Sequence, residues 1–168
     1  MYGNINLDVN IEDFKSLSYN SATIDQSYHK DYISAGHLED AMILYNYFEP
    51  SPMPNCVDVI KEHFSFLSPI SVAVNLCKPG QYLPLHSDLY KRWMLVHNIN
   101  NINNIFRAII MLQDSQLGQI LQIENTVITD WKQGDYYSWT GSTPHAIYNF
   151  SKQDRYAVQV TGFLNEVL

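Results

Sequence analysis

Hydrophobic positions in the N-terminal part of the chain recur at helical spacing. In residues 36–49 and again in residues 57–67, apolar side chains return every three or four positions, which places them on one face of a helix. Pro50 and Pro52 follow the first stretch and Pro69 follows the second, and proline ends helices. The apolar positions are Leu38, Met42 and Tyr45 in the first stretch and Val57, Ile60, Phe64 and Leu67 in the second. The pattern therefore predicts two helices before residue 69.

From residue 70 onward the pattern changes to short β-rich segments. These segments are rich in β-branched and aromatic residues, and most are bounded by Gly, Asn, Asp or Pro. The predicted strands are residues 70–77, 83–89, 106–112, 119–123, 126–131, 135–139, 145–150 and 156–163. Eight strands after a helical layer predict a mainly β fold, a sandwich or jelly roll with N-terminal helices packed on one sheet.

The length of 168 residues fits one domain with one substantial core. Within residues 1–168 we expect residues 1–69 to form a helical support region and residues 70–168 to form the jelly-roll core that carries the site. One stretch, Tyr90–Asn104, is rich in asparagine and has no clean period. A segment this long without regular structure is usually functional or disordered, so it is interpreted as a lid or substrate loop, with low-complexity drift as the alternative.

The charge and cysteine content narrow the function classes. A formal net charge of −7 argues against an electrostatic nucleic-acid binder, because phosphate neutralisation needs clustered basic residues. Lys91 and Arg92 form the only adjacent basic pair, which a solvated loop also explains. Cys56 and Cys77 match no metal-binding spacing and no disulfide framework. With neither a signal-like segment nor an apolar run of about 18 residues, we expect no membrane span and a cytoplasmic protein.

Three residues form a candidate metal site. His86 and Asp88 stand at positions i and i+2 of an extended segment, so both side chains point to the same face of a strand. His145, at the start of a later strand, is the natural third ligand. Two histidines and one carboxylate on one face are the ligand set of non-haem iron(II) oxygenases. A His-x-Asp triplet alone is common by chance, but none of the other histidines, His29, His37, His63 and His97, has a carboxylate two residues away in an extended context.

The neighbouring residues strengthen the case through a resemblance. Asn75-x-Cys77-x-x-Gly80 leads into His86-x-Asp88, residues 131–135 read Trp-Lys-Gln-Gly-Asp, and Arg155 follows His145 by ten residues. Over about residues 70–162 this arrangement resembles the superfamily of 2-oxoglutarate- and iron(II)-dependent dioxygenases. The resemblance implies a double-stranded β-helix, the cupin-like jelly roll. It implies iron(II) on His86, Asp88 and His145, with 2-oxoglutarate held by Arg155 and Asn75.

What the resemblance implies for activity is the hydroxylation of a small molecule or a protein side chain, with O2 consumed and succinate and CO2 released. The carboxylate of Asp88 argues against a halogenase, in which a small apolar residue leaves that metal position to chloride. The alternatives that stay open are a non-catalytic jelly-roll module that binds a metal or small ligand, and a nucleotide or nucleic-acid demethylase. The oligomeric state is left open.

Cys77 departs from the pattern, because Tyr is expected there. A thiol is too short and too weak a donor to replace a phenol, so Tyr82 or Thr161 is expected to complete the 2-oxoglutarate site. Arg155 can grip a carboxylate through two parallel hydrogen bonds, and its alternative is a surface ion pair with Asp154. Arg107, in an otherwise apolar strand, either binds substrate or a carboxylate or starts the strand at the rim. Trp139 is a candidate for shaping the substrate pocket, with core packing as its alternative.

Overall fold

The computed structural model describes residues 1–23 and 26–164 and contains, within them, four α-helices and eleven β-strands. The helices are α1 (Ile11–Lys15), α2 (Gln26–Ser34), α3 (Cys56–His63) and α4 (Lys91–His97), with 3-10 turns at Glu39–Ala41 and Ile102–Asn104. The strands are β1 (Tyr2–Asn4), β2 (Asn20–Ala22), β3 (Leu44–Phe48), β4 (Leu67–Cys77), β5 (Tyr82–His86), β6 (Ile105–Met111), β7 (Gln119–Ile123), β8 (Thr126–Ile128), β9 (Asp135–Thr140), β10 (His145–Asn149) and β11 (Arg155–Leu164). Across the described ranges, no helix has both the length and the apolar character that a membrane crossing needs.

The strands form two antiparallel sheets. The major sheet has seven strands in the order β1-β9-β6-β11-β4-β3-β2, and the minor sheet has four in the order β5-β10-β7-β8. Strands that are distant in sequence are neighbours in each sheet, and residues of both sheets share one apolar cluster. The fold is a double-stranded β-helix, a jelly roll, as the sequence predicts.

Alternation along the major sheet separates two environments. On β11, Tyr156, Val158 and Val160 pack in one apolar cluster with Phe14 of α1 and with the apolar stripe of α3. The intervening β11 residues point the other way, and Ala157 packs in a second cluster that includes residues of the minor sheet. Because successive strand residues face opposite sides, the same strands build a dry core against the helices and an inner chamber between the sheets.

All eight predicted strands are confirmed, with boundaries shifted by at most three residues. The helix predicted for residues 57–67 exists as α3 but ends at His63. The helix predicted for residues 36–49 is wrong, because residues 44–48 are strand β3, paired with β4 in the major sheet. Its aromatic residues suit a half-buried strand, and pairing with β4 overrides the accidental helical spacing.

The asparagine-rich stretch is not a structureless loop. Tyr90 and Asn98, both in the left-handed backbone region, flank α4 on its two sides. The helix packs over Ile99 and Ile105. Trp93 of α4 donates from Nε1 to Ser71 Oγ of β4 at 3.0 Å, which ties the helix to the inner face of the major sheet. Residues 90–104 therefore form an ordered cover over that face.

Candidate metal and co-substrate site

The structure brings His86, Asp88 and His145 together. His86 ends β5, His145 begins β10, and the two residues are directly opposed in the minor sheet. Asp88 lies two residues beyond the end of β5. The Nε2 atoms of His86 and His145 each lie 3.8 Å from a carboxylate oxygen of Asp88. One ligand atom from each of the three residues lies within 4.8 Å of the others, which is close enough to share one metal ion.

The backbone orients both imidazole rings. His86 Nδ1 lies 2.7 Å from the carbonyl oxygen of Pro84, and His145 Nδ1 lies 3.0 Å from that of Thr143. Because a carbonyl only accepts hydrogen bonds, each Nδ1 carries the proton. Each Nε2 is then left with its lone pair toward Asp88, as metal ligation requires.

The surroundings shift the pKa values of Asp88 and His145. Arg107 Nη2 donates to Asp88 Oδ2 at 2.6 Å. Burial acts to raise the pKa of Asp88, but the positive charge of Arg107 and the two imidazoles outweigh it and hold the pKa below its ordinary value. Burial lowers the pKa of His145 to about 4, so its ring is neutral near pH 7. Two imidazoles and one carboxylate fit a divalent metal of the iron(II) type.

One interpretation of the sequence places Arg107 at the start of its strand, at the rim. The structure does not place it there. It is the third residue of β6 and is buried, with its guanidinium between Asp88 and Tyr90. Its Nε donates to the Tyr90 hydroxyl at 3.4 Å, and Nη1 is buried without a hydrogen-bond partner among the described residues. Arg107 therefore holds Asp88, a candidate metal ligand, and keeps one donor free for another group.

Arg155 is a buried cation without an acidic partner in the described parts of the chain. It begins β11 and is 1% exposed, and within residues 1–23 and 26–164 its only hydrogen bond runs from Nη2 to Met111 Sδ at 3.4 Å. Its Nε and Nη1 are buried and unpaired. Burial lowers its pKa. The alternative pairing with Asp154 does not occur, because the Asp154 carboxylate accepts from Tyr156 instead.

Trp131 lies against this guanidinium. The centre of its ring is 5.4 Å from Arg155 Cζ, and its Nε1 is also buried without a partner in the described segments. Donors on two adjacent buried side chains, all unpaired, fit a carboxylate that binds between them. The sequence motif contains Trp131, but no sequence signal distinguishes this indole N–H from that of an ordinary core tryptophan.

The turn after Trp131 fixes its position. Trp131 and Ser115 exchange hydrogen bonds: Trp131 N donates to Ser115 Oγ at 3.3 Å, and Ser115 N donates to Trp131 O at 3.0 Å. Gly134 has a φ of +86°, and a Cβ there would clash with the carbonyl oxygen of Ile5. Only glycine fits this turn without displacing the backbone of residue 5.

Two further predicted residues lie near Arg155 on the inner face. Asn75 of β4 is buried beside Ala157, donates from Nδ2 to Asn46 Oδ1 at 2.7 Å, and keeps Oδ1 unpartnered among the described residues. Cys77 is directly opposite Arg155 in the sheet. Burial raises the pKa of the Cys77 thiol to about 11, and the thiol donates to the carbonyl oxygen of Gln81 at 3.3 Å. The thiol is thus committed elsewhere and does not substitute for a phenol.

The structure brings neither Tyr82 nor Thr161 to Arg155, so the expectation that one of them completes the site needs correction. The ring of Tyr82 stacks on Tyr148, away from the core residue Leu83, and its hydroxyl lies 3.0 Å from His37 Nδ1. Thr161 shares a face with Arg155 but stands six positions along β11, roughly 20 Å away at the rise of a strand. Strand alternation turns Tyr82 away from Arg155, and the length of β11 separates Thr161 from it.

Trp139 lies at the metal end of the chamber. It pairs with Arg107 across β9 and β6, and its ring centre is 4.7 Å from that of His145. It is buried, with Nε1 unpartnered in the described residues. The ring is therefore part of the core, as one of its predicted roles requires, and it also contacts His145; a role in shaping a substrate pocket stays a prediction.

A cavity of about 890 Å³ lies beside the metal ligands, between α4 and the inner face of the major sheet. Asp88 and Arg107 form one end of it. Its floor consists of small or polar residues of β4 and β11: Ser71, Ala73, Gln159 and Thr161. The volume is typical of a site for a small molecule.

Comparisons with known proteins show the fold. No protein-family model and no curated protein matches the sequence. A prolyl-4-hydroxylase from Pseudomonas putida is similar in structure, with a TM-score of 0.53 and 10% identity over 92% of this chain and 97% of that one. A predicted oxalate decarboxylase from Thermotoga maritima gives a TM-score of 0.45 and 16% identity over 73% and 82%. A double-stranded β-helix protein from Klebsiella pneumoniae gives 0.40 and 17% over 57% and 69%.

Proposed function

We propose that the protein is a 2-oxoglutarate- and iron(II)-dependent oxygenase that hydroxylates a small molecule. The observation that carries the proposal is that two features share one chamber. One is the cluster of His86, Asp88 and His145, and the other is the buried guanidinium of Arg155, which has no acidic partner among the described residues. The overall conversion takes up O2 and 2-oxoglutarate, inserts one oxygen atom into a C–H bond of the substrate, and releases succinate and CO2. The similarity to the prolyl-4-hydroxylase supports the fold of such an enzyme and leaves the substrate open.

His86, Asp88 and His145 would hold the iron, and the bound iron with its co-substrate would supply the oxidative chemistry. The chain's own contribution at this end is orientation. The carbonyl groups of Pro84 and Thr143 fix the two rings, and Arg107 fixes one oxygen of Asp88, leaving the other for the metal. Trp139 excludes water from one side of His145.

At the opposite end, Arg155 and Trp131 would hold the far carboxylate of 2-oxoglutarate. Arg155 offers Nε and Nη1, and Trp131 offers Nε1 as the additional neutral donor. The indole thus takes the role that the resemblance gives to a tyrosine at position 77. A dicarboxylic acid bound there would pair three donors that are otherwise buried without partners, which favours its binding.

The test is a titration of the protein with iron(II) and 2-oxoglutarate without oxygen, followed by exposure to air. The wild type is expected to show the weak visible charge-transfer band of the chelate and to release succinate in air. His86→Ala is expected to lose both signals. His63→Ala, on the exposed side of α3, is the matched control and should keep both.

A non-catalytic jelly-roll module would give a different result. It would still take up a divalent metal through the three ligands but would form no band with 2-oxoglutarate and release no succinate. That outcome from the wild type would contradict the proposed function. Metal uptake is therefore measured separately in the wild type and in His86→Ala. Uptake by the wild type that is lost in the variant distinguishes a metal-binding module from a protein that binds no metal.

A further inference from the structure

The cavity beside the metal triad differs in charge from the rest of the molecule. The chain has 17 acidic and ten basic residues, yet the cavity is lined by Lys91, Arg92 and Arg107 against only Asp88 and Glu49. Basic residues thus outnumber acidic ones in the cavity although the protein as a whole is acidic, and the positive charge is concentrated at one concave surface. Clefts lined by charge of one sign attract ligands of the opposite sign.

Both acids of the cavity are already paired. Asp88 accepts from Arg107 at 2.6 Å. Glu49 accepts from Lys61 at 2.7 Å and from the backbone N–H of Val72 at 3.3 Å. Lys91 and Arg92 have no acidic partner within the described residues.

A second observation at the metal end points to an anion. Arg107 is 6% exposed, lines the cavity, and has a buried Nη1 without a hydrogen-bond partner in the described chain. A buried guanidinium N–H is stabilised when an oxygen acceptor binds to it. The cavity therefore offers positively charged donors both on its roof and at its inner end.

The cavity is also shaped for a small molecule. Tyr90, Trp93 and Phe48 contribute aromatic surface to its walls. The hydrogen bond from Trp93 to Ser71 holds the roof onto the floor, which favours a compact ligand over an extended polypeptide. Because Asp88 is part of the wall, a ligand in the cavity lies next to the metal ligands.

We propose that this cavity is the substrate site and that the substrate is a small anionic molecule whose carboxylate or phosphate is held by Lys91 and Arg92. The apolar or planar body of this molecule packs against the aromatic walls. The assignment of the ligand as substrate rests on the proposed function, whereas the preference for anions is a property of the cavity alone.

The experiment measures binding of probe molecules to metal-free protein by calorimetry or ligand-detected NMR. Phenylacetate and phenyl phosphate are the two anionic probes, and phenylacetamide is their neutral counterpart. The anions are expected to bind and the amide to bind at least about tenfold more weakly. Comparing the carboxylate with the phosphate tells which anionic group the site prefers.

Lys91→Glu with Arg92→Glu should weaken both anions at least about tenfold, since it replaces attraction by repulsion. The matched control is Lys30→Glu with Lys152→Glu, which makes the same change of net charge at exposed positions elsewhere and should leave binding within about twofold. Lys91→Gln with Arg92→Gln is a milder second variant. Thermal melting of all three establishes that they fold.

Three results would overturn the inference: equal binding of acids and amide, unchanged acid binding in the Lys91 and Arg92 variants, or no saturable acid binding at millimolar concentration. The second would also reveal anions that bind at Arg155 instead. Because the assay needs neither metal nor turnover, it is independent of succinate release. Anion binding without succinate formation would contradict only the proposed function, and succinate formation without anion binding only the cavity assignment.

Discussion

Replacing Arg155 by methionine is expected to make the protein more stable and to abolish the binding of 2-oxoglutarate. Arg155 is 1% exposed, with no acidic partner among the described residues and two unpaired nitrogens. Methionine has a similar shape and removes the buried charge. The gain is about 2 kcal/mol, within the range seen when buried charges are replaced by apolar side chains. For a chain of this length that corresponds to a rise in melting temperature of about 4–8 °C.

Addition of 2-oxoglutarate should make the wild type more stable than Arg155→Met. At a concentration about 100 times its Kd, 2-oxoglutarate stabilises the wild type by about 2.7 kcal/mol, or about 5–10 °C. Arg155→Met should show no such shift at the same concentration. Trp131→Phe keeps the ring but loses one donor, so the Kd should rise about tenfold and the shift should fall to about half.

The assay is thermal melting with zinc(II) in place of iron(II), so that no turnover occurs, at several concentrations of 2-oxoglutarate. Lys30→Met, at an exposed position of α2, is the matched control and should change neither the melting temperature nor the shift by more than about 1 °C. If Arg155→Met melted well below the wild type, Arg155 would be a structural residue. If it still responded to 2-oxoglutarate, the co-substrate would bind elsewhere.

Three further predictions concern stability and reactivity. Asp88→Ala should lower the free energy of unfolding of the metal-free protein, measured in urea, by about 3 kcal/mol, because it leaves Arg107 buried without its partner. Adding Arg107→Met should recover most of this loss, and the absence of any recovery would contradict the explanation. Gly134→Ala should cost about 2 kcal/mol or more, since its φ is +86° and the added Cβ would meet a carbonyl oxygen; a neutral effect on the melting temperature would refute that steric argument. Burial raises the pKa of both Cys56 and Cys77 to about 11, so labelling of the native protein by a thiol reagent should be slow near pH 7 and should accelerate as pH rises toward 11; rapid labelling at pH 7 would contradict it.

The proximity of His86 and Asp88 could be predicted from the sequence because it is local. The two residues are only two positions apart, although Asp88 lies beyond the end of β5, where strand alternation no longer applies. The strand predictions succeeded for a similar reason, since β-branched runs between turn residues are a local signal. Residues 44–48 were misassigned because their strand is specified by pairing with β4, and no short-range pattern records that pairing.

The position of Trp131 beside Arg155 could not be predicted, because it depends on how distant segments pack. Trp131 is 24 positions before Arg155 in the sequence, and the two side chains come into contact only in the folded protein. Tyr82 was a reasonable expectation from its hydroxyl group. It is excluded by the pairing of β5 with β10, which directs Leu83 inward and Tyr82 outward.

The alternation of β11 has a consequence for how this protein tolerates change. Tyr156, Val158 and Val160 pack against the helices, whereas Arg155, Ala157, Gln159 and Thr161 face the chamber. In a scan of single substitutions, changes at Arg155, Gln159 and Thr161 should reduce the proposed activity while the protein accumulates normally. Changes at Ala157, which is buried in the cluster between the sheets, and at the even-numbered positions should lose soluble protein first. Natural variation can therefore alter the chemistry of the chamber at these three positions while the intervening residues keep the protein folded.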